Sequence, residues 1–249
     1  MFDIRGCNAV VTGANRGIGR AVAEGYAKAG ANVAIIDLEV SEETVKTIES
    51  YGVRCSAYQF DLSRCEEIEA LAEQIITEQD GRIDILYNNA GTQRRYPCTD
   101  FPQSEWDFVM NVNSKAVFFL CQSFGRHMLG RGYGKIINTA SLLSFQGGLT
   151  VPAYAGSKGA VMQFTKSLSN EWAGKGVNVN CIAPGYLATD LNTAILNNPE
   201  RNRQILERIP AGRWGKPEDI VGTAIFLASA ASDYINGIVI PVDGGWLGR

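Results

Sequence analysis

The sequence predicts an α/β protein with a doubly wound parallel sheet covered by helices on both faces, and three observations carry that prediction. Seven short apolar, β-branched runs alternate with longer segments of helical period. A glycine cluster joins the first run to the first helical segment. No Ser/Pro/Gly linker, low-complexity block or repeat interrupts the 249 residues, so the strand–helix–strand units read as one domain over 1–249.

In chain order, "NAVVTG" is followed by a helix over 16–29, "ANVAIID" by one over 41–51 and "RCSAYQF" by one over 63–79. "IDILYNN" precedes a helix over 105–130 and "GKIINTAS" one over 153–173. "VNVNCIAPG" leads into a looser stretch, a helix near 217–229 follows, and "NGIVIPVDGG" supplies the seventh strand. The polar, Asn-rich residues 186–215 break the rhythm just after the C-terminal end of a strand, where ligands bind in open α/β sheets. They read as a substrate lid.

A hydrophobic content of 45% suits a globular core, and a net charge of −3 shows no basic excess for nucleic acid or an anionic membrane. A small molecule is the expected partner. With no long apolar run and no N-terminal signal pattern, the expected location is the cytoplasm. Six cysteines lack C-x-x-C spacing and His127 is the single histidine, so no metal site is expected and His127 reads as structural.

Chemistry enters at two places. In "VVTGANRGIGRAVAEGYAKAG", Gly13, Gly17 and Gly19 lie between a strand and a helix, where they permit positive φ and let backbone approach a pyrophosphate. Asp37, at the end of the second strand, is placed to accept hydrogen bonds from ribose hydroxyls and to repel a 2′-phosphate. That favours NAD over NADP, while Arg16 within the turn argues the other way. In "AYAGSKGAV", Tyr154 and Lys158 stand at i and i+4 on one helix face. A cation beside a phenol favours the phenolate, so the pair is a candidate acid/base unit.

The ordered motifs T-G-x-x-x-G-x-G at Thr12 to Gly19, "NNAG" at 88–91, Ser141, Tyr154 with Lys158 and "PG" at 184–185 resemble the short-chain dehydrogenase/reductases over essentially the whole chain. The resemblance implies a Rossmann-like domain with seven parallel strands. It implies a catalytic set of Asn113, Ser141, Tyr154 and Lys158, with Asn113 holding a water that links Lys158 to solvent. Implied cofactor contacts are Gly13, Asn15, Arg16, Gly17, Ile18, Gly19, Asp37, Asp61, Leu62, Asn89, Ala90, Gly91, Tyr154, Lys158, Pro184, Gly185 and Thr189. Family members are usually homotetramers, assembled through helices that correspond to 105–130 and 153–173.

Four segments, "SFQGGLTVPAY", "NEWAGKGVNVNCIAPGYLAT", "RIPAGRWGKPEDI" and "DYINGIVIPVDGGW", resemble those family members that act on sugar acids. Such a substrate needs a cation for its carboxylate, and Arg94 or Arg95, directly after "NNAG", is expected to supply it. Gln146 and Trp214 are further pocket candidates. The competing activities are a 3-oxoacyl thioester reductase, another polyol or sugar-acid dehydrogenase, and a regulator that senses the dinucleotide without chemistry.

Overall fold

The computed structural model describes residues 1–249, the side chain of Leu191 excepted. Strands β1 (Asn8–Thr12), β2 (Asn32–Asp37), β3 (Cys55–Gln59), β4 (Ile85–Asn88), β5 (Gly134–Thr139), β6 (Val177–Pro184) and β7 (Val239–Val242) form one sheet in the order β3-β2-β1-β4-β5-β6-β7. Every pairing is parallel. The seven-stranded Rossmann-like domain expected from the sequence is therefore the observed one.

Side-chain alternation along each strand sorts the core into two layers. Val10, Ile36, Leu86, Ile136 and Val179 point to one face of the sheet, where they meet α3 (Ile68–Glu78), α5 (Ala116–Arg131) and α6 (Pro152–Trp172) through Leu71, Phe124 and Trp172. Val11, Ile35, Tyr87, Ile137 and Ile182 point to the other, against α1 (Gly17–Lys28), α2 (Glu42–Glu49) and α9 (Glu218–Ala228) through Val22, Tyr26, Ile48 and Ala224. Burial on both faces explains why β1, β4, β5 and β6 are apolar-rich and buried throughout.

Two stretches depart from the expected elements. The helix expected over 105–130 is α4 (Gln103–Met110) and α5 joined by a π-helical turn at Asn111–Lys115, in which Ala116 N–H donates to the Asn111 carbonyl five residues back. One extra residue in the turn re-aims the side chains there, and such bulges recur at functional sites. Residues 186–215 contain α7 (Thr193–Leu196) and α8 (Pro199–Leu206), held on the domain by a third apolar cluster of Leu142, Ile205, Ile209 and Trp246. Among the described residues, no helix is long and apolar enough to cross a membrane.

Candidate active site

The strand order reverses between β1's neighbours, β2 on one side and β4 on the other, and an open sheet leaves a crevice at the strands' C-terminal ends there. A cavity of about 780 Å³ occupies it. At one end lies the glycine turn. Gly13 has φ +64°, and a Cβ on it would fall 2.9 Å from Ala90 Cα; a Cβ on Gly19 would fall 2.0 Å from the Gly13 carbonyl oxygen. No side chain fits at either place. Arg16, the residue before α1, is extended, and neither a capping side chain nor a first-turn acid satisfies the helix's opening N–H groups. Those donors and the positive helix end fit a pyrophosphate.

Thr12, the first residue of the glycine motif, fixes the cavity floor. Its Oγ1 accepts hydrogen bonds from the backbone N–H groups of Asn89 (2.9 Å) and Ala90 (3.0 Å), and Asn89 Nδ2 donates back to the Thr12 and Gly13 carbonyls. Asp37, at the tip of β2, lines the cavity and accepts from Asn15 N–H at 2.9 Å. Asp61, Leu62, Pro184, Gly185 and Thr189 line it as well. Asn15 does not; its amide oxygen accepts from Ser41 N–H and the Thr44 hydroxyl, which tie α2 to the turn. Arg16 faces Asp190 of the 186–215 segment at 3.6 Å, with most of its side chain in solvent.

At the other end Ser141, Tyr154 and Lys158 converge on the same cavity. Lys158 Nζ lies 5.8 Å from the centre of the Tyr154 ring and donates to the Thr139 carbonyl at 2.7 Å. Leu143 N–H donates to Ser141 Oγ at 3.1 Å, which leaves the Ser141 proton to be given elsewhere. Burial lowers Lys158 to about 8, because an ammonium loses its water there. Burial raises Tyr154, with the Ser141 hydroxyl opposing the rise. The phenol is therefore neutral at physiological pH in the absence of ligand.

Asn113, in the π-helical turn, is fully buried. Its Oδ1 accepts from Thr92 N–H (2.8 Å), and its Nδ2 donates to the Thr92 carbonyl (2.8 Å) and to Ser157 Oγ (3.1 Å). It clamps the end of the "NNAG" loop to α6. A Cβ on Gly91 would stand 3.4 Å from Asn113 Oδ1 and 3.7 Å from Lys158 Nζ, so the two groups border one small gap.

The substrate candidates divide. Arg94 reaches the cavity, but its guanidinium pairs with Glu105 (2.7 Å) and lies over the Phe108 ring. Arg95 lines the cavity with no carboxylate partner among the described residues. Gln146 and Trp214 do not line it. Trp214 stacks edge-on with Tyr186 and donates its Nε1–H to Asn202 at 2.8 Å; Gln146 is half-buried and accepts from Arg208 at 3.5 Å. Both sit in the apolar bed under α8 or at its rim, which their sequence spacing did not disclose. His127 accepts from Ile83 N–H at 3.3 Å and does not line the cavity.

A family model described as enoyl-(acyl carrier protein) reductase matches residues 13–247. The chain is 50% identical to 2-dehydro-3-deoxy-D-gluconate 5-dehydrogenase of Bacillus subtilis (strain 168), with 100% of this chain and 97% of that protein covered. The chain belongs to the short-chain dehydrogenase/reductase family. Among solved structures, a putative 2-deoxy-D-gluconate 3-dehydrogenase from Agrobacterium tumefaciens with bound NADP superposes with a TM-score of 0.93 at 48% identity, covering 100% and 99% of the two chains. A gluconate 5-dehydrogenase from Burkholderia cenocepacia in complex with NADP and tartrate gives 0.94 at 40% identity, covering 100% and 98%.

Two features of this dehydrogenase's site escape a sequence reading. Ser144 Oγ accepts from Ser141 N–H (3.2 Å) and donates to the Lys158 carbonyl (2.7 Å), so it couples the serine loop to the tyrosine helix. A serine at i+3 of a short turn is too common to single out. Arg201, on α8, lines the cavity although about forty residues separate it from the nearest catalytic candidate.

Proposed function

We propose that the protein is a nicotinamide-dinucleotide-dependent dehydrogenase of sugar acids, interconverting 2-dehydro-3-deoxy-D-gluconate and its 5-keto form. The observation that carries this reading is the meeting of Ser141, Tyr154 and Lys158 in one cavity that runs from an uncapped helix N-terminus to an unpaired arginine, Arg95. The likeness to sugar-acid dehydrogenases supports the substrate class. The nicotinamide ring supplies the hydride in reduction and takes it in oxidation. In reduction, Ser141 donates a hydrogen bond to the ketone oxygen and fixes its distance from the phenol. Tyr154 gives its proton to that oxygen as the carbon is reduced, and Lys158, cationic below about pH 8, stabilises the phenolate left behind. Oxidation runs these steps backwards. Asn113 keeps the loop and α6 in register around Lys158. Segment 186–215 acts as the lid.

The cofactor form we propose is NAD(H). Asp37 presents a carboxylate where a ribose 2′ substituent would stand, and Arg16 already faces Asp190. The bound NADP named for the Agrobacterium relative makes a test necessary. Replacement of Asp37 by Ser is expected to raise the NADPH/NADH ratio of kcat/KM by about tenfold or more, since like-charge contacts carry several kcal/mol. An unchanged ratio would assign the discrimination elsewhere.

We propose a homotetramer, with α5 and α6 at the subunit contact. Phe118, Phe119 and Phe164 form a partly buried aromatic ladder across these helices, with ring centres 5.6 and 5.7 Å apart. Light scattering should return four times the 27.0 kDa chain, and a monomer mass would refute it.

The function itself is tested by following nicotinamide absorbance with the 5-keto sugar acid and, in parallel, an acetoacetyl thioester. Turnover of the thioester alone would favour the second reading, to which the description of the matching family model points.

A further inference from the structure

Four guanidinium groups border the cavity, those of Arg16, Arg94, Arg95 and Arg201. Arg16 faces Asp190 and Arg94 is paired with Glu105. The other two meet only neutral oxygens among the described residues. Arg201 Nη1 donates to Gln204 Oε1 at 2.9 Å. Arg95 donates Nη2–H and Nε–H to the Gln93 amide oxygen, at 2.6 and 2.9 Å, with the amide turned to accept them. On α8 the contrast is internal: Arg203, two residues on, pairs with both Glu200 (2.9 Å) and Glu207 (2.7 Å) outside the cavity.

We infer that Arg201 is a substrate-binding residue that joins Arg95 to form a two-arginine clamp for the substrate's carboxylate, an inference that rests on the sugar-acid reading above. Arg95 comes from the fixed loop after β4, and Arg201 from the helix of the 186–215 segment, so one carboxylate bridges the two sides of the cleft. Two like charges facing one cavity repel, and an anion between them converts that repulsion into charge-assisted hydrogen bonds. Burial and the nearby charge of Arg201 both lower the Arg95 pKa, partly offset by Tyr186, which agrees with this placement. The clamp sets specificity for acids over neutral polyols, and it makes closure of the segment depend on the substrate's charge.

The test separates binding from turnover. NADH-saturated protein carrying Tyr154→Phe, which cannot react, is titrated calorimetrically with D-gluconate and with D-sorbitol, its uncharged counterpart. Adding Arg201→Gln is expected to lower the gluconate/sorbitol affinity ratio by about tenfold or more, with Arg201→Lys recovering part of it. Arg95→Gln should give a similar loss, and the double change should lose less than the product of the two, because one ligand group is shared. An unchanged ratio, or equal loss for acid and polyol, overturns the clamp. Failure of the unmutated enzyme to reduce the 5-keto sugar acid would instead refute the proposed activity, which the binding ratio does not measure.

Discussion

Replacement of Tyr154 by Phe is expected to lower kcat by about 10²- to 10⁴-fold in both directions, with cofactor affinity and thermal stability little changed. The ring stays and only the proton-carrying oxygen is lost, so the half-buried packing is preserved. Burial keeps the phenol protonated near neutrality, which suits a proton donor in reduction. Oxidation needs the phenolate, so its kcat/KM should climb as pH rises, while reduction stays level until the phenol begins to ionise. Stopped-flow and steady-state assays of the variant measure the loss directly. A variant that kept most of its turnover would move the proton transfer to another group, and a protein indifferent to the change in every respect would be a dinucleotide sensor rather than an enzyme.

Replacement of Lys158 by Met should abolish most turnover and yet stabilise the ligand-free protein. Among the described residues the buried ammonium has the Thr139 carbonyl as its one hydrogen-bond acceptor, and its folded-state pKa is lowered from 10.5 to about 8. The sign follows: below about pH 8 the unfolded chain carries the charge in water and the folded chain carries it in the interior, so the penalty is present in full. It fades as pH rises from about 8 to 10.5, where the unfolded lysine also loses its proton. The lowered pKa corresponds to roughly 3 kcal/mol at pH 7, reduced by about 1 kcal/mol for the lost bond to Thr139. Lys158→Met is thus expected to unfold in urea about 1–3 kcal/mol later than the wild type at pH 7, with the gap closing above pH 8. A destabilised variant would mean that the bond to Thr139, and not the buried charge, dominates at this site. Stability given up at the centre of a cavity is what a functional site looks like.

Much of this was legible in the sequence because it is local. Alternating runs place all seven strands, since burial of a parallel sheet on both faces demands continuous apolar segments. Gly13 and Gly19 declare the turn because no other residue fits against Ala90 and the Gly13 carbonyl. Tyr154 and Lys158 declare themselves by helical spacing. What was not legible depends on where distant segments meet. Thr12 is visible in the sequence as the head of the glycine motif, but its part as acceptor for the Asn89 and Ala90 amides depends on the loop after β4. Asn113 is singled out by the family resemblance, but its bonds to Thr92 and Ser157 depend on the π-helical turn that aims it there. Arg94 and Arg95 are adjacent and identical in type, and only the position of Glu105 separates the paired one from the unpaired. Only the fold of 186–215 brings Arg201 to the cavity and turns Trp214 toward Tyr186 and Asn202.

The central claim is that one cavity joins a dinucleotide, a proton-relaying tyrosine and a sugar-acid carboxylate. It is tested most directly by a single assay, purified protein with NADH or NADPH against the 5-keto deoxy sugar acid and an acetoacetyl thioester, read as loss of nicotinamide absorbance. NADH oxidation with the sugar acid, and none with the thioester, is the predicted result. NADPH oxidation with the thioester alone would contradict it, and would mean that Arg16 outweighs Asp37 and that Arg95 serves some other anion.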